Sequence, residues 1–301
     1  MFPRRIASRF AVLQGKCMPR ECLPELLKRE RPLLLPVAHD ALSARLIERA
    51  GFSAAAIGGF GLVGCRLGLP DLGLASFGEI SAAVRDIRAA TSLPLIVDGD
   101  DGYGDVKNVV RTVRVYEEMG VGAIVLEDQV SPKKCGHMAV ERRLVSPGEA
   151  RSKLVAALDA RRSADFAVIA RTDARSVEGL EAALERGWLY RDCGIDALFI
   201  EAPVSIDELQ TIGRSFDIPL LVNAAEGGKT PLLSPQAYRD LGFAMVCYPS
   251  TLLLRMVSTL HRTLASLREG RIPPGDALPD FGELTAIMGM KEWMEVERKF
   301  T

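Results

Sequence analysis

Between residues 31 and 250 the chain repeats one unit eight times: a short apolar or β-branched run closing in polar residues, then a connecting stretch, amphipathic in most units. The runs are RPLLLPV (31–37), FSAAAIGG (52–59), PLIVDGD (94–100), AIVLED (123–128), FAVIARTD (166–173), ALFIEAP (197–203), IPLLVNA (218–224) and AMVCYPS (244–250). They are hydrophobic almost throughout rather than alternating, the pattern of parallel strands covered on both faces. Eight strands in strict βα alternation close a barrel, whereas an open dinucleotide-type sheet usually stops at six. The chain therefore reads as α/β, a (β/α)8 barrel of the TIM type with additional C-terminal helices.

Helical periodicity occupies 40–51, 105–120, 146–161, 176–194 and 234–242, and four of these five stretches end in Gly, a common residue just past a helix. Ser146 and Glu149 have capping-box spacing, and Ser176 is a looser candidate. Residues 252–268 supply the last barrel helix, and 281–300 a helical tail whose apolar stripe packs either on its own barrel or on a neighbouring subunit. Three regions follow: 1–30, a surface helix or arm; 31–268, the barrel; 269–301, the tail.

Composition removes several function classes. Lys plus Arg number 38 against 39 Asp plus Glu, a net charge of −1 with the basic residues scattered, so no nucleic-acid surface is expected. No apolar stretch is long enough for a membrane span, and the basic first residues lack the apolar core and cleavage site of a secretory signal. Cysteines at 17, 22, 65, 135, 193 and 247 form no CxxC pair, which fits a reduced, cytoplasmic compartment. Cys193 and Cys247 read as core thiols, and Trp188 and Trp293 as packing residues.

The polar residues that end the runs carry the chemistry. Asp98 and Asp100 follow run three, Glu127 and Asp128 run four, Arg171 and Asp173 run five, Glu201 run six and Asn223 run seven. A closed barrel brings these to one rim. Carboxylates gathered there must share protons or hold a cation, and oxygen-only donors favour Mg²⁺, with Mn²⁺ as a possible substitute. Directly after run four, Lys133-Lys-Cys-Gly-His137 places two lysines beside Cys135, suited to an anionic substrate and to a lowered thiol pKa, with His137 able to share a proton. Gly59-Phe-Gly-Leu-Val-Gly64 fits G-x-G-x-x-G, but residues 65–75 are rich in Gly and Pro where a helix should open, so these glycines are read as lining the barrel mouth.

Seven ordered motifs resemble the isocitrate lyase and phosphoenolpyruvate mutase superfamily: His39-Asp-Ala-Leu-Ser-Ala, Gly68-Leu-Pro-Asp71, Asp98-Gly-Asp-Asp-Gly-Tyr-Gly104, Leu126-Glu-Asp-Gln129, Lys133-Lys-Cys-Gly-His137, Ala170-Arg-Thr-Asp173 and Thr230-Pro231. The cysteine loop is similar to that of the carbon–carbon lyase branch, which includes 2-methylisocitrate and 2,3-dimethylmalate lyases. The resemblance implies Mg²⁺ held directly or through water by Asp71, Asp98, Asp100 and Glu127. It implies Cys135 as general acid, with Lys133, His137, Arg171 and Glu127 in the catalytic group. Substrate contacts are implied at Gly58, Gly59, Phe60, Asp98 and Gly136, and further round the rim at Arg171, Glu201, Asn223 and Thr230. It also implies a dicarboxylate or tricarboxylate substrate and a homotetramer in which neighbouring subunits exchange a C-terminal helix, which would give the 269–301 tail its partner.

Two features depart from the family pattern. Gly58-Gly59 stands where a Ser-Gly pair is usual, removing a hydroxyl, and Asn223-Ala-Ala-Glu-Gly-Gly-Lys-Thr-Pro231 differs from the version typical of 2-methylisocitrate lyases. The readings to be separated are a lyase of 2-alkylmalate or 2-methylisocitrate type, an oxaloacetate hydrolase or phosphonate enzyme on the same barrel, and a non-catalytic diacid-binding scaffold.

Overall fold

All eight apolar runs are strands in the computed structural model, which describes residues 22–134, 142–273, 275 and 278–301. The order along the chain is α1 (Leu23–Arg29), β1 (Leu33–Pro36), α2 (Ala41–Arg49), β2 (Ala55–Ile57), α3 (Gly59–Leu67), α4 (Phe77–Ala90), β3 (Leu95–Asp98), α5 (Val106–Glu118), β4 (Ala123–Glu127), α6 (Pro147–Ala160) and β5 (Ala167–Thr172). It continues through α7 (Ala174–Val177), α8 (Leu180–Arg191), β6 (Ala197–Ile200), α9 (Ile206–Ser215), β7 (Leu220–Asn223), α10 (Pro235–Asp240), β8 (Met245–Tyr248), α11 (Thr251–Arg268), α12 (Phe281–Ile287) and α13 (Met290–Phe300). The strands pair in parallel from β2 through β8 and back to β1. Between β1 and β2 the barrel closes through a single bridge, Val37 to Ala56, where the Ala38 N–H donates to Ala56 O at 2.8 Å.

The near-continuous apolar runs hide a period of two. Leu33, Leu35, Ile96, Val125, Ile169, Phe199, Leu221 and Met245 fill the barrel interior, while Val97, Ile124, Leu126, Val168, Leu198, Val222 and Val246 pack outward under the helices. α1 joins the inner set through Leu23, Leu26 and Leu27, all buried. At roughly 1.5–3 kcal/mol per buried leucine this anchors α1 firmly; the rest of the expected N-terminal arm or helix, residues 1–21, lies outside the described residues. Helix starts follow side-chain capping. Asp40 accepts from Ser43 N at 2.7 Å while Ser43 Oγ accepts from Asp40 N at 3.0 Å, and Ser146 Oγ accepts from Glu149 N at 3.2 Å. Gly213 lets α9 touch the turn after α10, since a Cβ there would sit 1.6 Å from Leu241 O.

Several expectations need correction. The G-x-G-x-x-G stretch is itself the helix α3, which its glycines mask in the sequence. The stretch 176–194 divides at Gly179 into α7 and α8, and Cys193 lies in the turn after α8, half-buried rather than in the core. Cys247 is buried within β8, as read. Trp188 packs as read, its ring tilted against Phe216 at 6.2 Å, although it is 39 % exposed, while Trp293 is 64 % exposed. α11 is helical as read, but none of its residues is buried, so it does not cover the barrel as an eighth helix would. Among the described residues no helix is long and apolar enough to cross a membrane.

Candidate active site

The strand ends bring Asp98, Glu127, Arg171, Glu201 and Asn223 to one rim, around a cavity of about 110 Å³. Gly58, Gly59 and Phe60 enter its wall from the turn after β2 and the first residues of α3, and Asp71 from the loop after α3. Its floor is the barrel interior, including Ile96, Val125, Phe199, Leu221 and Cys247.

Arg171 is the hub on one side. Its Nε lies 3.4 Å from Glu127 Oε2, its Nη2 lies 3.2 Å from Glu201 Oε2, and its guanidinium stands 5.3 Å above the Phe199 ring centre. Asn223 Nδ2 donates to Glu201 Oε2 at 3.1 Å. Lys133 is the hub on the other. Its ammonium sits 3.2 Å from Asp71 Oδ1 and 3.6 Å from Asp98 Oδ2, and pairs closely with Asp100. Asp100 adopts φ 49°, a left-handed conformation costly for a side-chain-bearing residue, and donates its N–H to Asp98 Oδ1 at 3.1 Å.

Charge and burial separate these acids. Burial drives the Glu127 carboxyl well above the ordinary carboxylate range, Asp173 and Asp98 add to that, and Arg171 and Lys133 offset only part of it. Asp100 is pushed up to about 7, first by burial and then by Asp98 and Asp71, against the pull of Lys133. For Asp98 burial also pushes upward, but Lys133, Arg171 and the N–H groups of Asp100 and Gly59 outweigh it, and its carboxyl stays below the usual value. Burial opposes the charge on Lys133 and Arg171 too; the surrounding carboxylates overcome it and hold both cationic.

Neighbouring acids divide between the rim and its support. Asp101 turns away from the cavity to Lys153 Nζ, 3.2 Å from Oδ2. Asp128 also turns outward, accepting from Thr172 Oγ1 at 2.6 Å, Asp173 N at 2.9 Å, Tyr190 Oη at 2.8 Å and Arg186 Nη1 at 3.3 Å. Thr230 is buried, its hydroxyl without a hydrogen-bond partner among the described residues, and it does not line the cavity. Cys135, Gly136 and His137 lie outside the described residues. The sequence reading gave no role to Gln129, whose Nε2 donates to Glu127 Oε2 at 3.2 Å and whose Oε1 accepts from Lys134 N at 3.0 Å. Phe199 was also passed over, because in sequence it is one more apolar strand residue.

Whether these residues suit Mg²⁺ can be judged from the cluster itself. Among the described residues no group of three or more His, Cys, Asp or Glu is arranged as a metal cage. That agrees with the lysine at the centre: contacts of 3.2 and 3.6 Å suit an ammonium, whereas Mg²⁺ wants oxygens at about 2.0–2.1 Å. The donor chemistry nevertheless fits. The donors are all oxygens, a cation is already seated among them, and Glu127 Oε1 is buried with no partner among the described residues.

Comparison with known proteins agrees with this geometry. Residues 23–268 match the sequence profile of the phosphoenolpyruvate phosphomutase family. The chain is 40 % identical over 278 residues to 2,3-dimethylmalate lyase of Eubacterium barkeri, covering 92 % of this chain and 96 % of that protein. Among solved structures, oxaloacetate acetylhydrolase in complex with the inhibitor 3,3-difluorooxalacetate superposes with a TM-score of 0.88 at 31 % identity, over 93 % of this chain and 96 % of the other. Phosphonopyruvate hydrolase in complex with oxalate and Mg²⁺ superposes with a TM-score of 0.81 at 30 % identity, over 91 % and 96 %.

Proposed function

Since the chain belongs to the isocitrate lyase and phosphoenolpyruvate mutase superfamily, in its carboxylic-acid lyase branch, we propose that it is a Mg²⁺-dependent carbon–carbon lyase. Its substrate would be a 2-hydroxy diacid of the 2-alkylmalate or 2-methylisocitrate type, and its products a 2-oxo acid and a carboxylate. Members of this superfamily cleave or rearrange small diacids. The observation that carries the lyase reading is the pairing of a buried acid cluster with the fixed cation Arg171 around one small cavity.

Mg²⁺ would be held by Asp98, with Asp71, Asp100 and Glu127 reaching it directly or through water, and would supply positive charge against the substrate's carboxylate and 2-oxygen. The chain's own residues do the rest. Glu127 Oε1 accepts the 2-hydroxyl proton once a bound cation holds that carboxyl ionised, and the burial that resists its charge then makes it the stronger base. As that proton leaves, the C2–C3 bond breaks, C2 becomes the carbonyl of the 2-oxo acid, and the electron pair passes to the other fragment, an enolate-like dianion. Arg171 and the lysines of the Lys133–Lys134 pair offset that charge, and the Cys135 thiol returns a proton to its carbon. Phe199, Leu221 and Val125 present an apolar wall suited to an alkyl substituent.

A homotetramer completes the reading. α11 exposes Leu254, Val257, Leu260, Leu264 and Leu267, and a mostly apolar groove of about 570 Å³ lies between α2 and the start of α11. Exchange of α11, rather than of the 269–301 tail, between neighbouring copies would bury both. In sedimentation, Leu260→Asp with Leu264→Asp should then dissociate the assembly, whereas deletion of 275–301 should leave it intact.

Release of a 2-oxo acid with Mg²⁺ from 2,3-dimethylmalate, 2-methylisocitrate, citramalate, oxaloacetate and phosphonopyruvate tests the reaction. Turnover of one 2-hydroxy diacid that is lost in Cys135→Ala supports the lyase. Turnover of oxaloacetate or phosphonopyruvate alone selects the hydrolase or phosphonate reading instead, and full turnover in Cys135→Ala removes the cysteine from the reaction.

A further inference from the structure

Among the described residues, the Glu127 carboxyl receives its hydrogen bond from Gln129. The Gln129 side chain is buried and lines the cavity, and its Nε2 donates to Glu127 Oε2 at 3.2 Å. Arg171 Nε stands 3.4 Å from the same oxygen, but its N–H is aimed at Asp173 Oδ2, 2.9 Å away. Arg171 therefore supplies charge to Glu127, and Gln129 supplies direction.

The amide is not free to turn over. The Lys134 N–H can only donate, so the amide atom 3.0 Å from it is the oxygen, and the NH2 group has to face Glu127. The backbone that carries Gln129 is stitched on both sides, with the Val130 N–H donating to Arg143 O at 2.8 Å and the Val145 N–H to Asp128 O at 2.9 Å. A carboxyl group is two-fold symmetric about its last torsion, and that torsion is soft. Burial alone does not decide which oxygen meets a substrate. A fixed NH2 group does, because the oxygen it faces must stay an acceptor and cannot carry a proton. The other oxygen, Oε1, is buried with no partner among the described residues.

We propose that Gln129 is a positioning residue: its amide breaks the symmetry of the Glu127 carboxyl, holding Oε2 as a fixed acceptor and leaving Oε1 to the substrate hydroxyl. The inference rests on the reading of Glu127 given above. Only an amide of this length serves both ends. An ionised acid at position 129 would accept from the Lys134 N–H but could not donate to Glu127, and methionine would do neither.

The test is steady-state turnover of the diacid that the wild type cleaves fastest, together with calorimetric binding of oxalate in Mg²⁺, in wild type, Gln129→Met and Gln129→Glu. In Gln129→Met kcat should fall by about 30- to 100-fold with KM changed less than about threefold, as a displaced reacting group requires. Oxalate has no hydroxyl proton to give up, so its affinity should stay within about threefold of wild type. The acid introduced in Gln129→Glu would face Glu127, with Arg171, Lys133, Asp98 and Asp173 around that carboxyl. It donates only while protonated, so at about pH 9 this variant should lose kcat as Gln129→Met does. Near-wild-type kcat in Gln129→Glu at that pH, with a loss in Gln129→Met, would assign the amide to holding Lys134 alone and overturn the proposal. Oxalate weakened in step with kcat would make Gln129 a substrate contact or a support of the cavity wall, which overturns it as well. Unchanged kcat in folded Gln129→Met has the same consequence. Gln129→Glu is isosteric with the native side chain and decides the question if Gln129→Met fails to fold. A wild type that binds oxalate but turns over no diacid would overturn the lyase reading itself, and this inference with it.

Discussion

Arg171 and Asp173 grip each other at two points, with Nε donating to Oδ2 at 2.9 Å and Nη2 to Oδ1 at 3.2 Å, and the same Asp173 Oδ1 also accepts from Arg142 Nη1 at 2.6 Å. The Asp173 side chain has no exposure. A buried carboxylate shared by two guanidinium groups fixes the plane of Arg171 between Glu127 and Glu201. Asp173→Asn keeps the shape and removes the charge, leaving two buried cations short of a partner. Unfolding free energy from urea titration should fall by about 3 kcal/mol. Turnover should fall by about 100-fold with a smaller change in KM, because a misplaced guanidinium harms the reacting geometry more than simple binding. Unchanged kinetics would mean that Arg171 is held by its other partners.

Behind β4 and β5, Asp128 collects four donors, and Tyr190 Oη is among the shorter contacts at 2.8 Å. Tyr190→Phe removes that donor without opening a cavity, and Thr172, Asp173 and Arg186 continue to satisfy the carboxylate. The loss should be about 1–1.5 kcal/mol of stability, with turnover near that of the wild type, since the network stands outside the rim. A large loss of turnover at equal stability would show that strain reaches Arg171 through β5.

The strands and the rim were legible because they depend on local pattern. The eight apolar runs sit where the eight strands are, and the position of Asp98, Glu127 and Arg171 at strand ends places them on the rim without further information. The choice within each acidic pair came from the family resemblance alone and not from the local pattern. Glu127 faces the cavity and Asp128 faces outward because adjacent strand residues point to opposite sides, and apolar runs do not reveal the phase of that alternation. The choice of Asp100 over Asp101 depends on a left-handed backbone at Asp100 and on Lys153, which reaches Asp101 from α6. α3 was missed because three glycines weaken its periodicity. The exposure of α11 cannot be read from its amphipathic pattern, which says that a face will be buried without saying against which chain.

Cys247 is a thiol pushed up to about 12 by burial and, secondarily, by the charges of Glu201 and Asp98. An unfolded cysteine ionises near about 8.5, so the folded chain resists losing this proton. The stabilising contribution is complete below about pH 8.5 and is lost as pH rises through about 12. Alkylation with iodoacetamide near pH 8.5 should therefore modify the exposed Cys65 and spare Cys247 until urea is added. Cys247→Val should flatten the alkaline decline in unfolding free energy by up to about 1.4 kcal/mol per pH unit. Rapid labelling of Cys247 in the native chain would contradict its burial.

Gly58 tests whether the missing hydroxyl has shifted the substrate. A Cβ there meets only Val37 Cγ1 at 3.7 Å, an ordinary contact, and the backbone at φ −110° and ψ 143° suits any residue. The position is also the N-cap of α3, with no side-chain hydrogen bond at present, and serine is a preferred residue at such a cap. Gly58→Ser should therefore fold with an unchanged or slightly raised melting temperature and place a hydroxyl on the cavity wall. If that hydroxyl serves a 2-oxo acid, oxalate in the presence of Mg²⁺ should bind about 3- to 10-fold more tightly, the equivalent of about 0.5–1.5 kcal/mol for one hydrogen bond. Gly59→Ala supplies the contrast, because its Cβ would be driven against Lys133 Nζ and Asp71, so the metal site rather than oxalate contact should suffer. Unchanged oxalate affinity in a folded Gly58→Ser would place the origin of any altered specificity in the 223–231 loop.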